Sequence, residues 1–376
     1  MSSLGKGGLE DVVVSTSDIC FIDGREGRLV YRGYDVNDLV EHSNFEEVIW
    51  LLFHGGLPSR KDLEAHTKAM RSTAMRKIPP KLVQMLKALP KKTTPMEVLR
   101  TGISALSAFD PDADDNSREA SLRKALRLTA QMPTLVAAWE RIRRGKAPVA
   151  PNPKLSHAAN FLYMMSGKKP TPLAEKTFDV ALILHADHEF NASTFAARVT
   201  AATMSDMHSA IVSAIGALKG PLHGGANEQV MLMVEKIGSP AKAEAFIKKA
   251  LADKARIMGF GHRVYRVEDP RAKHLRRLAT ELGQQAGNTD SVEILNTVAR
   301  EVTNDKKIYP NVDLYSGAAY KTMGIPTDQF TPIFAISRVV GWAAHVLEQH
   351  GNNRLIRPRA DYTGPERATY VPLSQR

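Results

Sequence analysis

The chain has 376 residues, of which 43% are hydrophobic and 24% are charged, which is typical of a globular protein and excludes an extensively disordered one. A single cysteine, Cys20, excludes an internal disulfide, and neither a secretory signal nor an apolar run near the roughly 18 residues of a membrane span is evident, so we predict a cytoplasmic protein. The formal charge of +11 is compatible with polyanionic small ligands, nucleic acid or a membrane surface.

Short β-type segments at 22–24 and 29–33 flank a turn and predict a small hairpin near the N-terminus. Most of the later sequence has apolar residues at three- and four-residue spacing, which predicts helices. The predicted helices include 45–52, 82–89, 120–131, 134–144 and 173–184. Four pairs predict a helix that starts at proline: Thr171-Pro172, Ser239-Pro240, Asp269-Pro270 and Thr331-Pro332. The chain is therefore predicted to be all-α apart from the hairpin.

Helix-breaking residues cluster at 220–225 and again at 324–326. A chain of this length exceeds the usual size of one compact core. The two breaks are compatible with an inserted lobe of about a hundred residues, after which the chain returns to the first domain for its last helix.

Four segments combine reactive side chains with glycine, proline or clustered charge: 185–189 (HADHE), 221–225 (PLHGG), 259–263 (GFGHR) and 310–313 (PNVD). Histidine is the usual proton-transfer group near neutral pH, and an adjacent glycine lets a ligand approach the backbone. Taken singly, each segment is more often a helix end or a core residue. The chain lacks the signatures of a dinucleotide fold, a phosphate loop and a serine hydrolase.

His185 and His188 are three residues apart beside Asp187 and Glu189, which imitates a metal site on one helix face. A metal pair normally needs a third ligand at a recognisable spacing, and none is clear. We therefore predict that the protein binds no metal.

Taken in order, the four segments, together with Asp269-Pro270-Arg271, Ser337-Arg338 and 356–359 (IRPR), resemble citrate synthases of the short bacterial and archaeal type. The resemblance extends over essentially the whole chain. It implies an all-α, citrate-synthase-like two-domain fold, with a large helical domain of residues 1–224 plus 327–376 and a small domain of residues 225–326 that closes over the active site. It also implies a homodimer that joins acetyl-CoA to oxaloacetate, with CoA thioester as a substrate and no cofactor, nucleic acid or membrane partner.

By this resemblance, Asp313 is the catalytic base, His223 hydrogen-bonds the thioester oxygen, and His262 polarises the ketone of oxaloacetate. Four further residues are implied to bind oxaloacetate or citrate, the last of them from the partner subunit: His188, Arg271, Arg338 and Arg357. A backbone stretch is implied to lie against CoA, formed by Ile257, Met258, Gly259, Phe260 and Gly261. Lys254, Arg256 and Lys306 are looser candidates for the CoA phosphates.

Three alternatives stay open. A 2-methylcitrate synthase would use propionyl-CoA with the same catalytic residues, and one methylene changes binding by only about 1–3 kcal/mol. Phe190-Asn191 follows Glu189 where long animal-type enzymes have glycines, which favours the short branch shared by both activities. More distant alternatives are a basic helical nucleic-acid-binding protein without thioester chemistry and a metal-dependent lyase.

The short N-terminal region predicts a dimer without the NADH regulation of longer hexameric relatives.

Overall fold

The computed structural model describes residues 8–9 and 12–376. Its first regular element is the predicted hairpin, in which β1 (Cys20–Asp23) pairs antiparallel with β2 (Arg28–Tyr31). A two-residue strand that the sequence did not predict, β3 (Tyr34–Asp35), pairs with the other edge of β2. The three strands form a sheet in the order β1-β2-β3.

The remaining regular structure in the described residues is helical, which confirms the predicted fold class. The helices are α1 (Val36–His42), α2 (Phe45–His54), α3 (Arg60–Arg71), α4 (Thr73–Arg76), α5 (Pro80–Ala88), α6 (Pro95–Leu106), α7 (Arg118–Arg143), α8 (His157–Ser166), α9 (Pro172–His185), α10 (Ala192–Ala201), α11 (Met207–Lys219), α12 (Ala226–Ile237), α13 (Pro240–Ala252), α14 (Ala272–Ala286), α15 (Asp290–Lys306), α16 (Val312–Thr322) and α17 (Phe330–Gly351). Single 3₁₀ turns occur at Ser107–Phe109, Thr327–Gln329 and Leu373–Gln375.

Side-chain caps define many of the helix starts. Thr171 accepts a hydrogen bond from the Ala174 N–H at 3.2 Å, and Pro172 follows at the first helical position, as the sequence predicted. Pro240 likewise begins α13. Glycine in the left-handed conformation ends several helices, including α2 at Gly55.

Helix α17 forms the centre of the core. It packs against α2, α6, α7, α9, α10, α11 and α12, and Trp342 at its middle is fully buried. Residues 327–351 are long and apolar enough to cross a membrane, which was not predicted from the sequence, but their most apolar stretch is entirely buried inside the protein. This burial identifies the segment as a core helix.

Helices α12 to α16 pack largely against one another, with α14 against α16 and α13 against α15. They occupy the range that the sequence assigns to the small domain. Contacts of α14 and α16 with α9, and of α12 with α17, join them to the rest of the chain. The division into two domains that close on each other stays a prediction.

The predicted helices at 120–131 and 134–144 are in fact one helix, α7, with Pro133 inside it. An interior proline removes one backbone hydrogen bond at a cost of about 3 kcal/mol. Burial on both sides of Pro133 outweighs this cost, because Met132, Leu135 and Trp139 are all at most 1% exposed.

Two predicted helix starts are wrong. Asp269-Pro270 forms a turn closed by the Ala272 N–H and the Asp269 carbonyl at 2.9 Å, and α14 begins only at Ala272. Helix α17 begins at Phe330, so Thr331 lies inside the helix and does not cap it, and the Thr331 hydroxyl instead donates to the Gly224 carbonyl at 3.0 Å.

Candidate active site

Six of the seven predicted catalytic and substrate-binding residues come from separate places in the fold. They are His188 between α9 and α10, His223 between α11 and α12, His262 between α13 and α14, Arg271 at the N-cap of α14, Asp313 in the first turn of α16, and Arg338 in the middle of α17. Two guanidinium groups lie close enough to the other residues to affect their pKa values. The charge of Arg271 acts on His188, His262 and Asp313. The charge of Arg338 acts on His188, His223 and Asp313. The structure therefore brings these residues together.

His188 and His262 are in direct contact, with ring centroids 4.9 Å apart. Tyr265 packs against both rings, and its hydroxyl lies 3.3 Å from Nε2 of His188. Burial lowers the pKa of His188 well below its ordinary value, and the charge of Arg271 acts in the same direction. Both rings are neutral near pH 7 in this setting.

The backbone after His262 fixes which of its nitrogens carries the proton. The N–H groups of Val264 and Tyr265 donate to Nδ1 of His262 at 3.0 and 3.2 Å, so the neutral ring carries its proton on Nε2. Burial, followed by the charge of Arg271, lowers the pKa of His262 to about 4. His262 is thus arranged to donate a neutral hydrogen bond from Nε2.

His223 is arranged in the opposite way. The Ser193 N–H, in the first turn of α10, donates to Nε2 of His223 at 3.3 Å, and the Ser193 hydroxyl lies 2.8 Å from the same atom. The proton of the neutral ring is therefore on Nδ1. Burial, and then the charge of Arg338, lowers the pKa of His223 to about 4. The N-terminus of α10, where Ser193 lies, favours the same neutral form of His223.

The Asp313 carboxylate makes no hydrogen bond with the described residues, although the Asp313 backbone N–H donates to Asn311 Oδ1 at 3.0 Å and its carbonyl accepts from the Ser316 hydroxyl at 3.4 Å. Desolvation raises the pKa of Asp313 to about 6, although Arg271 and Arg338 oppose the shift. A carboxylate of this pKa is a suitable general base near neutral pH.

Arg271 is not at the second position of a helix, as the sequence had suggested, but at the N-cap of α14. Its side chain makes two hydrogen bonds to Asp269, from Nε at 2.9 Å and from Nη2 at 2.7 Å. The second Asp269 oxygen also accepts the Val312 N–H at 3.3 Å. Asp269 therefore connects an arginine of the site with the helix that carries Asp313.

Arg338 has no such partner among the residues that the structure describes. It is 1% exposed, its Nε donates to the His185 carbonyl at 2.7 Å, and its guanidinium carbon lies 4.6 Å from the centre of the Phe334 ring. Among the described residues no carboxylate forms an ion pair with it, and burial lowers the pKa of Arg338 to about 10. A buried guanidinium without a carboxylate is costly unless an anionic ligand supplies one.

Arg357 lies on the exposed segment that follows α17 and makes no hydrogen bond or ion pair with the described residues of its own chain. The structure does not bring it to the other site residues through any such contact. Its contribution to a partner's site stays a prediction.

The predicted CoA segment lies beside the start of α16. Phe260 forms a β-bridge with Pro310, and the Gly261 N–H donates to the Tyr309 carbonyl at 2.9 Å. A side chain at Gly259 would meet Leu314 and Val230, whereas one at Gly261 would meet open space. Only Gly261 thus fits the expected ligand approach. Ile257 and Met258 pack on the core, and Lys254, Arg256 and Lys306 are exposed.

Several supporting residues of the site were not predicted from the sequence. Tyr265 and Ser193 contact the histidines, Asp269 pairs with Arg271, and Asn311 Nδ2 donates to the Gly261 carbonyl at 3.1 Å. Asp269 and Asn311 lie within the recognised motifs, and this position could have identified them as site residues. No sequence pattern distinguishes Tyr265 or Ser193.

The idea that His185 and His188 share a helix face is wrong, because α9 ends at His185. The His185 Nδ1 donates to the Ala181 carbonyl at 2.7 Å. Within residues 8–9 and 12–376, no group of three or more His, Cys, Asp or Glu side chains is placed to hold a metal ion.

The sequence profile of the family described as citrate synthase, C-terminal domain, matches residues 8–359. The chain belongs to the citrate synthase family. It is 50% identical over 370 residues to citrate synthase 2 of Bacillus subtilis, covering 98% of each chain. It is also 45% identical to 2-methylcitrate synthase of Mycobacterium tuberculosis, covering 96% of this chain and 91% of that one. These findings confirm the resemblance drawn from the motifs.

Among solved structures, the chain is similar to citrate synthase from Thermoplasma acidophilum, determined as a ternary complex with carboxymethyl coenzyme A and oxaloacetate. The two structures have a TM-score of 0.91 and 34% sequence identity, and the match covers 98% of each chain. The helical fold of that structure is therefore shared over 98% of this chain.

Proposed function

We propose that this member of the family joins the methyl carbon of acetyl-CoA to the keto carbon of oxaloacetate and then hydrolyses the citryl thioester to citrate and free CoA. The observation that carries the proposal is the surroundings of Arg338. This buried guanidinium forms no ion pair with a carboxylate in the described part of the chain, and its charge affects the pKa values of a neutral histidine, His223, and of a carboxylate whose pKa is raised, Asp313. This combination suits an anionic substrate and proton abstraction.

In the first step, Asp313 takes a proton from the methyl group of the thioester. The charge that develops on the thioester oxygen is stabilised by the Nδ1–H of His223, whose orientation is fixed by Ser193. A neutral imidazole is a suitable donor because it is a weak acid. It polarises the carbonyl by hydrogen bonding and does not transfer its proton to the oxygen. An oriented donor of this kind contributes about 3 kcal/mol.

In the second step, the enolate carbon attacks the ketone of oxaloacetate. His262 donates from Nε2 to the ketone oxygen and stabilises the alkoxide that becomes the hydroxyl group of citrate, while its Nδ1 stays bonded to the backbone. Arg338 and Arg271 bind the carboxylates, and His188 contributes a further polar contact. Water then hydrolyses the thioester, which makes the reaction effectively irreversible.

Three further features belong to the proposal. Residues 225–326 close over the substrates. CoA lies along Ile257–Gly261, near the exposed cations Lys254, Arg256 and Lys306. The enzyme is a cytoplasmic homodimer in which Arg357 completes the partner's site. The reaction needs no metal or other cofactor. A stable monomer in light scattering that retained activity would contradict the role of Arg357.

The activity should have an acid limb set by Asp313. Because its pKa is about 6, protonation of the base should lower kcat/KM about tenfold for each pH unit below that value. His223 and His262, with pKa values of about 4, stay neutral in this range and do not produce the limb. The check is a kcat/KM profile, with circular dichroism to verify folding at each pH. Activity that stays constant down to about pH 4 would contradict the assignment.

Replacing Arg338 with lysine should raise KM for oxaloacetate about 10- to 100-fold, because lysine keeps the charge but loses the planar fork and the bond to the His185 carbonyl. Steady-state kinetics at saturating acetyl-CoA measures this change. Arg100→Lys, at an exposed position on α6, is the matched control. An unchanged KM for oxaloacetate in a folded Arg338→Lys variant would remove Arg338 from the substrate site.

The test of the function is release of free thiol from acetyl-CoA in the presence of oxaloacetate, with identification of citrate as the product. No thiol release under these conditions, from folded protein, would refute the proposal. Preincubation with a metal chelator should leave the rate unchanged, and a loss of activity would revive the metal-dependent alternative.

The second candidate is 2-methylcitrate synthesis from propionyl-CoA, which the 45% identity to an enzyme of that name favours. The same assay distinguishes the two, with acetyl-CoA and propionyl-CoA compared at equal concentration. A higher kcat/KM for propionyl-CoA would make 2-methylcitrate synthesis the main activity and leave the proposed roles of Asp313, His223 and His262 unchanged.

A further inference from the structure

The turn of the N-terminal hairpin packs directly against the loop that carries His262. The Arg266 N–H donates to the Gly24 carbonyl at 2.7 Å. A side-chain carbon at Gly24 would lie only 2.2 Å from the Val264 carbonyl oxygen. Because that neighbour is backbone, it cannot rotate away, and any larger residue at position 24 must displace the loop.

The other end of the turn makes a second contact with the same loop. Gly27 has a φ of +67°, and a side-chain carbon there would lie 2.8 Å from Cγ2 of Val267. The turn itself is held by Asp23, whose Oδ1 accepts the N–H groups of Arg25 and Glu26 at 2.8 and 2.9 Å. The hairpin thus presents a shaped, glycine-containing surface to the loop.

This part of the loop also orients His262. The N–H groups of Val264 and Tyr265 donate to Nδ1 of His262. Val264 also contacts Gly24, and Arg266, the residue after Tyr265, is hydrogen-bonded to Gly24. Moving the Val264 peptide would lengthen or break these bonds. The imidazole would then be free to rotate or to exchange its proton between Nδ1 and Nε2.

We propose that the hairpin turn, residues 23–28, is a positioning element for His262, which fixes the ring and its protonated nitrogen through the backbone of Val264 to Arg266. The turn touches no substrate in this assignment and acts only through the loop. The effect on catalysis rests on the proposed function, whereas the effect on the His262 ring does not.

The variant Gly24→Ala tests the proposal, with Gly56→Ala as the control, since a side chain at Gly56 would meet nothing within 4 Å. The ring is observed in ¹⁵N solid-state spectra of histidine-labelled protein without substrates, with His262 assigned from the signals lost in His262→Gln. In the wild-type and Gly56→Ala proteins, Nδ1 of His262 should be the unprotonated nitrogen. In Gly24→Ala this preference should be lost or become mixed.

Kinetics gives the second measurement. Gly24→Ala should lower kcat on the order of 10- to 100-fold, because displacement of a catalytic group by about 1 Å has effects of that size, and Gly56→Ala should keep kcat. Asp23→Ala, which loosens the turn without a new clash, should change the spectrum and kcat in the same direction by less, and it serves if Gly24→Ala does not fold.

The two possible failures are distinct. If the wild-type protein shows no thiol release, the proposed function fails, and the spectra still test the positioning of His262. If Gly24→Ala and Asp23→Ala fold, even with a lower melting temperature, but keep the wild-type His262 signals and kcat, the turn has only a structural role and the inference is overturned.

Discussion

Replacing Asp313 with asparagine should lower kcat by roughly 10²- to 10⁴-fold, the usual contribution of a positioned general base. Asparagine has nearly the same shape but cannot accept the methyl proton. The helix should be unaffected, because the cap of α16 uses the Asp313 backbone N–H and the Asn311 side chain. Thiol release under saturating substrates is the measurement.

Asp114→Asn provides the matched control, since Asp114 is exposed and its side chain makes no hydrogen bond with the described residues. It should retain the wild-type rate. A folded Asp313→Asn protein with more than about a tenth of the wild-type kcat would show that another group removes the proton.

The second large effect is expected at His223. His223→Gln should lower kcat on the order of 10²- to 10³-fold, the loss found when an oriented donor to a developing oxyanion is removed. Glutamine can still donate a hydrogen bond, but it lacks the fixed orientation that Ser193 gives to the imidazole. KM for oxaloacetate should change much less than kcat, because the donor acts on the thioester.

His42→Gln is the control, because the His42 side chain is 78% exposed at the end of α1. Equal effects on kcat and on KM for oxaloacetate in His223→Gln would instead place His223 at the dicarboxylate. Comparing the change in kcat with the change in KM for oxaloacetate therefore tests the role assigned to His223, beyond its importance for activity.

The all-α class and the hairpin follow from features that act locally. β-Branched and aromatic residues around a turn predict β1 and β2, and apolar spacing with Thr171-Pro172 predicts α9 with its correct start. Local rules failed where tertiary contacts compete with them. Asp269 bonds to Arg271 and Val312 instead of capping a helix at Pro270, and buried side chains keep α7 continuous through Pro133.

The main site residues could be predicted because the order of several motifs resembles a known family. The geometry that makes them useful could not be predicted from spacing. Ser193 and Val264 determine which nitrogen of His223 and His262 carries the proton, and Gly24 reaches the site loop from a distant part of the chain. Such contacts depend on the packing of separate elements, which no local pattern records.

The position of α17 at the centre of the core has a consequence for synthesis on the ribosome. Helices α2, α7, α9, α10 and α11 all pack on this helix, yet it follows all of them along the chain and leaves the exit tunnel after they do. Until α17 emerges, the apolar surfaces of these helices remain exposed in the nascent chain, and such exposure favours aggregation and chaperone binding. Premature termination before residue 330 should therefore yield an insoluble product and not a partly active fragment.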